Sequence, residues 1–211
     1  MGRRDSFSEA AALAQRLRPA IADERALAAI ASIPRERFVP AADRARAYEN
    51  VALPIACGQT ISQPLVVARM LQALAPRSGD RVLDVGTGSG YHAALLALLA
   101  DRVWTIERHL QLATRAQETI RGLGLDNVEF VVGDGWAGLP DQAPFDAINV
   151  AASTGDRLPE ALEQQLAVDG RMVAPVGEGR QYLMLTRRGR DGLSRERLEA
   201  VRFVPLVREG E

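Results

Sequence analysis

Three glycines alternate in Asp84-Val85-Gly86-Thr87-Gly88-Ser89-Gly90, directly after the apolar run that begins at Val82. Glycine at a strand-to-helix turn lets the backbone bend sharply and lets a ligand approach with no Cβ in the way. Two further carboxylates close apolar runs of their own. Glu107 follows Val103-Trp104-Thr105-Ile106, and Asp134, with Gly135 beside it, follows Val128-Glu129-Phe130-Val131-Val132. A glycine turn of this kind serves a dinucleotide, a mononucleotide or S-adenosylmethionine, and the neighbouring residues choose among them.

The spacing is G-x-G-x-G, and Tyr91 stands where a dinucleotide fingerprint needs its third glycine. A phosphate loop needs a lysine, and the chain has none. Asp84, two residues before Gly86, is expected near the mouth of the loop, where a carboxylate repels a pyrophosphate but suits an ammonium and a sulfonium. Glu107 lies 17 residues beyond Gly90 (107 − 90), in place to accept hydrogen bonds from both ribose hydroxyls of an adenosine. Asp134 is placed to accept from the adenine amino group, with Gly135 keeping the backbone close to the ring. Each acid alone reads as a solvated strand end; three in order at successive strand ends point to bound S-adenosylmethionine, with Gly86, Thr87, Gly88 and Ser89 forming the turn around it.

A second chemical segment precedes this one. In Leu53-Pro54-Ile55-Ala56-Cys57-Gly58-Gln59-Thr60-Ile61-Ser62-Gln63-Pro64, the side chains of Gln59, Thr60 and Ser62 gather just ahead of a helix. Amide and hydroxyl donors beside free helix N–H groups make a receptor for an anion such as a carboxylate. The same residues also read as a serine N-cap followed by proline in the first turn. The segment by itself leaves both open. His92 and His109 have no partner in the sequence that suggests a general base or a metal site, Cys57 reads as a small filler, and Trp104 and Trp136 as packing residues, with Trp136 bordering the adenine as an alternative.

These residues need elements to hold them. Ser8 to Ile30 shows apolar residues at helical spacing broken at Pro19, which predicts two short helices; Ile33 to Pro40 is a proline-punctuated connector. Asn50 to Gln63 lacks periodicity, and Gln63 to Leu74 is helical. Strands are then expected at Arg81–Val85, Val103–Ile106, Val128–Val132, Asp146–Val150 and Met172–Val176, alternating with helices at Tyr91–Leu99, Gln111–Leu123 and Pro159–Leu166. Alternation of this kind means βαβ units and a parallel sheet. Gln181–Arg187 and Val201–Val207 read as two closing strands joined by an arginine-rich link, a hairpin or mixed edge on the sheet. The fold class is therefore α/β, a doubly wound Rossmann-like sheet with N-terminal helices and a C-terminal strand pair. One domain over 1–211 is expected, with residues 1–62 supplying the helices and substrate loop and 63–211 the cofactor-binding core.

Composition excludes several classes. Basic and acidic residues nearly cancel, 26 against 27, so no field of one sign calls for nucleic acid or an anionic membrane. All the basic residues are arginine, which rules out lysine chemistry. A single cysteine, Cys57, forbids an internal disulfide and a cysteine-rich metal site, and fits a reducing cytoplasm. No metal is expected. Gly2 with Ser6 and the Arg3-Arg4 pair fit acylation and twin-arginine patterns only loosely, and the apolar run Ala10–Leu13 is cut too soon by Gln15 and Arg16 for a signal core.

The chain resembles the protein-L-isoaspartate (D-aspartate) O-methyltransferases from about Arg35 to Leu206. Gly58-Gln59-Thr60-Ile61-Ser62-Gln63-Pro64 and Val82 to Tyr91 carry the resemblance, with Gly133-Asp134-Gly135 through Gly138, Pro144-Phe145-Asp146, Pro175-Val176-Gly177 with Gln181, and Arg202-Phe203-Val204-Pro205-Leu206. The glycine loop is common to many methyltransferases; the Gln-Thr-Ile-Ser-x-Pro segment is close to diagnostic. The resemblance implies methyl transfer from S-adenosylmethionine to the free α-carboxylate of L-isoaspartyl residues in damaged proteins and peptides, a repair reaction. It matches Ser62 to the family's active-site serine, with Gln59 and Thr60 beside it in the substrate pocket. Family members usually carry glycine at Ala56 and often aspartate near Asn50, so peptide preference is open. The alternatives are esterification of another carboxylate, such as ordinary aspartate in a dedicated peptide or a small molecule, and a cofactor-binding protein that has lost its activity. An NAD-dependent oxidoreductase is disfavoured by Tyr91 and Asp84. A monomer is expected, acting on isoaspartyl proteins without nucleic acid or membrane.

Overall fold

A computed structural model describes residues 3–207, with only the backbone described for residues 3–6. Gly2 lies outside the described residues. Helices α1 (Arg3–Leu17) and α2 (Glu24–Ser32) precede short 3₁₀ turns at Arg35–Phe38 and Ala41–Arg46. Asp23 caps α2 through its carboxylate, which accepts from the backbone N–H groups of Arg25 and Ala26. A two-residue ladder, β1 (Leu53–Pro54) against β2 (Thr60–Ile61), then makes a small hairpin, and α3 (Pro64–Leu74) follows. The core alternates β3 (Arg81–Val85), α4 (Tyr91–Ala97), β4 (Arg102–Glu107), α5 (Leu110–Arg121), β5 (Val128–Val132), β6 (Phe145–Val150), α6 (Glu160–Gln164) and β7 (Leu166–Val176). β8 (Gln181–Gly189) and β9 (Gly192–Val201) close it.

The seven-stranded sheet has the order β5-β4-β3-β6-β7-β8-β9. The first four pairings along it are parallel, and β8 and β9 join antiparallel, so the expected mixed edge is present. Strand order reverses between β3 and β6, and ligands bind such sheets at that reversal, outside the carboxyl ends of the strands. Alternation along the strands builds one buried cluster on each face. Val82 joins the cluster beneath α1 to α4, while Leu83 and Val85 join Trp104, Phe145 and Leu162 on the other face. Every residue of α4 is buried, so the helix directly after the glycine loop is fixed from all sides.

The chain departs from the sequence expectation at its end. The arginine-rich link is itself a strand, β9, which ends at Val201, and residues 202–207 lie beyond it as an irregular segment with one parallel bridge, Ser153 to Pro205. An edge strand faces solvent, so Leu193-Ser194-Arg195-Glu196-Arg197 needs no apolar alternation, and its charges guard the open edge. The more apolar segment after it returns across the carboxyl ends of the sheet, where Ser153 N–H donates to the Val204 carbonyl at 2.8 Å.

Candidate functional site

A cleft opens at the reversal between β3 and β6. Its floor is the glycine loop, one wall is Glu107 to His109 at the end of β4, another is Gln59 to Ser62, and the returning segment from Val204 to Val207 closes the far side. Gly86 and Gly88 have φ of +88° and +52°, a region that side chains rarely adopt, and a Cβ at either would meet nothing closer than 3.7 Å. The glycines are thus required by backbone conformation and not by a steric clash.

Glu107 is the hinge of this arrangement. Its Oε2 accepts from Gly88 N–H at 2.9 Å and its Oε1 from His109 N–H at 3.0 Å, so one buried carboxylate ties the glycine loop to the start of α5. Each oxygen keeps a lone pair for a diol. Asp84 is placed differently from the expectation of a carboxylate at the mouth. It is fully buried beneath the loop, where Oδ2 accepts from Thr105 Oγ1 and Oδ1 from Asn149 Nδ2, both at 2.8 Å. Thr105 in turn shares a 2.6 Å hydrogen bond with Thr87, so Asp84 reaches the loop through two hydroxyls. Burial pushes its carboxyl up to about 6. Strand alternation is the reason: Asp84 projects to the same inner face as Val82.

Asp134 also stands off the cleft, and its Oδ1 accepts from Trp136 N–H at 2.9 Å. Gly135 does line the cleft, but packing alone demands glycine there, because a Cβ would meet Val85 Cγ1 at 2.7 Å. Trp136 lines a different pocket beside α6, and its Nε1 donates to the Leu206 carbonyl at 2.9 Å, tying down the returning segment.

The substrate segment forms the hairpin already described. Ile55 N–H donates to the Gln59 carbonyl at 2.9 Å, and Cys57 carries the left-handed conformation (φ 58°) that its turn needs. Ala56 keeps negative φ, so a methyl at a position usually glycine costs no backbone strain. The N-cap of α3 is Gln63, not Ser62, and it makes no side-chain cap. Asn50 serves that helix end instead, its Oδ1 accepting from Leu65 N–H at 3.0 Å. The capping alternative for Ser62 is thereby removed. Gln59 Nε2 turns back onto the Cys57 carbonyl at 3.2 Å, and Thr60 is exposed.

A second groove runs beside the cleft between α3 and residues Ala200 to Pro205, with Val66, Val201 and Phe203 among its walls. Thr60, Ser62, Ala151, Val204 and Pro205 border both cavities. These five residues are a wall common to the two cavities. Sequence reasoning singled out Ser62 and Thr60 but missed the returning segment, because its apolar pattern reads as sheet; it read no base or metal role into His92. His92 lines the cleft and is buried, with its pKa lowered to about 4, chiefly by burial and then by the charge of Arg35. It is therefore neutral.

Comparison with known proteins shows the family and the fold. The family model for protein-L-isoaspartate(D-aspartate) O-methyltransferase (PCMT) matches residues 8–211. A protein-L-isoaspartate O-methyltransferase of Shewanella amazonensis is 51% identical over 188 residues, 89% of this chain and 88% of its own length. The one from Koribacter versatilis is 53% identical over 188 residues, 89% of this chain and 84% of its own. A solved Plasmodium falciparum protein of the same description, in complex with S-adenosyl-L-homocysteine, superposes with a TM-score of 0.81 at 27% identity, over 94% of this chain and 98% of its own. With the family model matched along nearly its whole length, this chain belongs to the protein-L-isoaspartate (D-aspartate) O-methyltransferase family.

Proposed function

We propose that Ser62, with Thr60 and Gln59, holds the α-carboxylate of an L-isoaspartyl residue at the wall shared by cleft and groove, while Gly86 to Ser89 and Glu107 hold the methyl donor. The reaction is methyl transfer from S-adenosylmethionine to isoaspartyl residues of damaged proteins, as family membership implies. The single observation that carries the residue assignment is that shared wall. It gives donor and acceptor separate chambers that touch at one hydroxyl-bearing edge.

The residues present fit S-adenosylmethionine. The cleft lined by Gly86 to Ser89 leaves room for it, and Glu107 retains acceptor capacity suited to ribose. When bound, the donor supplies a methyl on a positively charged sulfur, so the leaving group is built in. A carboxylate ordinarily titrates near pH ~4, so it is already an anion at neutral pH and no general base is needed. Neutral His92 is consistent with this. What Ser62 and Thr60 contribute is alignment: hydroxyl donors fix the carboxylate, and holding two reactants in line is worth about 7–11 kcal/mol of barrier. Apolar Val66, Val201 and Phe203 keep water from the acceptor. Asp84 and Asp134 support the cofactor side indirectly, through Thr105 and Thr87 and through Trp136.

The reading extends to a monomer working as a single domain in the cytoplasm on proteins and not on nucleic acid. Near-zero net charge and an edge strand crowded with charges support it, as does an exposed free thiol at Cys57. The test is incubation with labelled S-adenosylmethionine and paired peptides that differ only in isoaspartate or aspartate at one position. Base-labile label on the isoaspartyl peptide alone is expected; equal label on both peptides, or on neither, overturns the reading.

A further inference from the structure

Arg35 is fully buried, although it sits in a stretch whose sequence reads as a plain connector. Its Nε donates to the Ala47 carbonyl at 2.8 Å and its Nη2 to the Ser62 carbonyl at 2.7 Å. The guanidinium lies over the ring of Tyr91, 4.8 Å from its centroid, and Tyr91 is the first residue of α4 after the glycine loop. One side chain thus joins the N-terminal segment, the substrate hairpin and the cofactor helix. Among the described residues no carboxylate forms an ion pair with it, and the neighbouring Glu36 is taken up by the Tyr48 hydroxyl.

A buried cation facing only carbonyls and an aromatic ring is expensive, since burial penalises the charge and no anion offsets it. For purely mechanical bracing, a neutral donor such as glutamine would reach a carbonyl without that penalty. The charge is explained when an anion arrives nearby during the reaction, and the Ser62 wall shared by cleft and groove is where one arrives. We propose that Arg35 is a positioning residue of the acceptor site, fixing the Ser62 backbone by its hydrogen bond and lending the shared wall a positive potential that favours an anionic carboxylate over a neutral group. The proposal rests on the reading that Ser62 holds the substrate carboxylate. The guanidinium lies directly against cleft-lining Tyr91, and its charge adds to the larger effect of burial in lowering the pKa of His92, which also lines the cleft. Hydrogen bonds and fields inside a low-dielectric site are barely screened by salt.

The experiment compares wild type with Arg35→Met, which keeps bulk and loses charge, and Arg35→Lys, which keeps charge and loses the fork. Three quantities are read: KM and kcat for an isoaspartyl peptide, Kd for S-adenosylhomocysteine, and the ratio of inhibition constants of the isoaspartyl peptide and a matched isoasparaginyl peptide, neutral at the same position. Arg35→Met should raise peptide KM on the order of ten- to a hundredfold and collapse the preference for the anionic peptide. Arg35→Lys should keep that preference and recover part of the loss. Kd for S-adenosylhomocysteine should stay within about threefold of wild type in both, the spread expected of a residue outside its contacts. The proposal is overturned if Arg35→Met keeps the anion preference, if Arg35→Lys loses it, or if cofactor Kd weakens in step with peptide KM. Should Arg35→Met fail to fold, Arg35→Lys decides alone on the last two criteria. Failure of wild type to discriminate isoaspartate from aspartate would instead strike the underlying reading.

Discussion

At the scale of single residues, Ser62 carries the sharpest expectation. It orients a nucleophile and does not attack, so Ser62→Ala should lower kcat/KM by a factor on the order of 10–100, the worth of one hydrogen bond to a charged group. Steady-state kinetics on an isoaspartyl peptide check this; complete loss of activity, or label trapped on the enzyme, would contradict the role. Two buried titratable groups, His92 in the cleft wall and Asp84 beneath the glycine loop, predict opposite pH responses. His92 is held down to about 4 against an ordinary 6.5, so its stability contribution is full above pH 6.5 and is lost as pH falls through about 4. Asp84 is raised to about 6 from 3.8, so its contribution is full below 3.8 and is lost as pH rises through about 6. Each amounts to roughly 3 kcal/mol at about 1.4 kcal/mol per pH unit, and in wild type they largely cancel between about pH 4 and 7. Denaturant unfolding across that range should therefore show Asp84→Asn losing stability with acidification and His92→Gln gaining it, each relative to wild type.

At the scale of elements, the placement of the cleft depends on how α3 is fastened to the sheet. Arg171 of β7 reaches the end of that helix, its Nε donating to the Leu74 carbonyl and its Nη2 to the Ala75 carbonyl, each at 2.6 Å. The same guanidinium pairs with buried Asp80 and donates to the Asp146 carbonyl at 3.0 Å. A buried pair broken on one side leaves an uncompensated charge and open carbonyls. Arg171→Leu should cost about 3–5 kcal/mol in urea unfolding, and adding Asp80→Asn should restore part of it, because the orphaned carboxylate is then removed. An additive double variant would show that the pair does not act as a unit. Asn50 does a lighter version of the same work at the other end of α3, and in doing so leaves the Ser62 hydroxyl for chemistry.

At the scale of the molecule, two chambers meet because the chain comes back over the sheet after β9. The segment from Arg202 to Val207 is held by Gln181, whose amide both accepts from Phe203 N–H at 2.6 Å and donates to its carbonyl at 3.2 Å, and by Trp136 at Leu206. It walls both cavities yet adds no strand to the sheet. A chain ending at Val201 should therefore keep a near-native circular dichroism spectrum while peptide KM rises more than about tenfold, the loss expected when several positioning contacts go at once. Unchanged kinetics in that truncated chain would remove the segment from the site.

The amino-acid order alone determined the alternation of strands and helices, the carboxyl-end placement of Gly86, Glu107 and Gly135, and the cluster of Gln59, Thr60 and Ser62 just ahead of a helix, because periodicity and turn chemistry act over a few residues and need no partner. Boundaries such as Arg81–Val85 follow from an apolar run of strand length alone. Tertiary structure decided the rest. That Asp84 points inward, that Asn50 and not Ser62 serves the helix end, that the charged stretch after Gly192 is an edge strand, and that Arg35 lies buried behind the substrate hairpin all depend on which distant surfaces meet. Burial and hydrogen-bond partners across tens of residues are properties of the packed sheet, and local pattern carries no record of them.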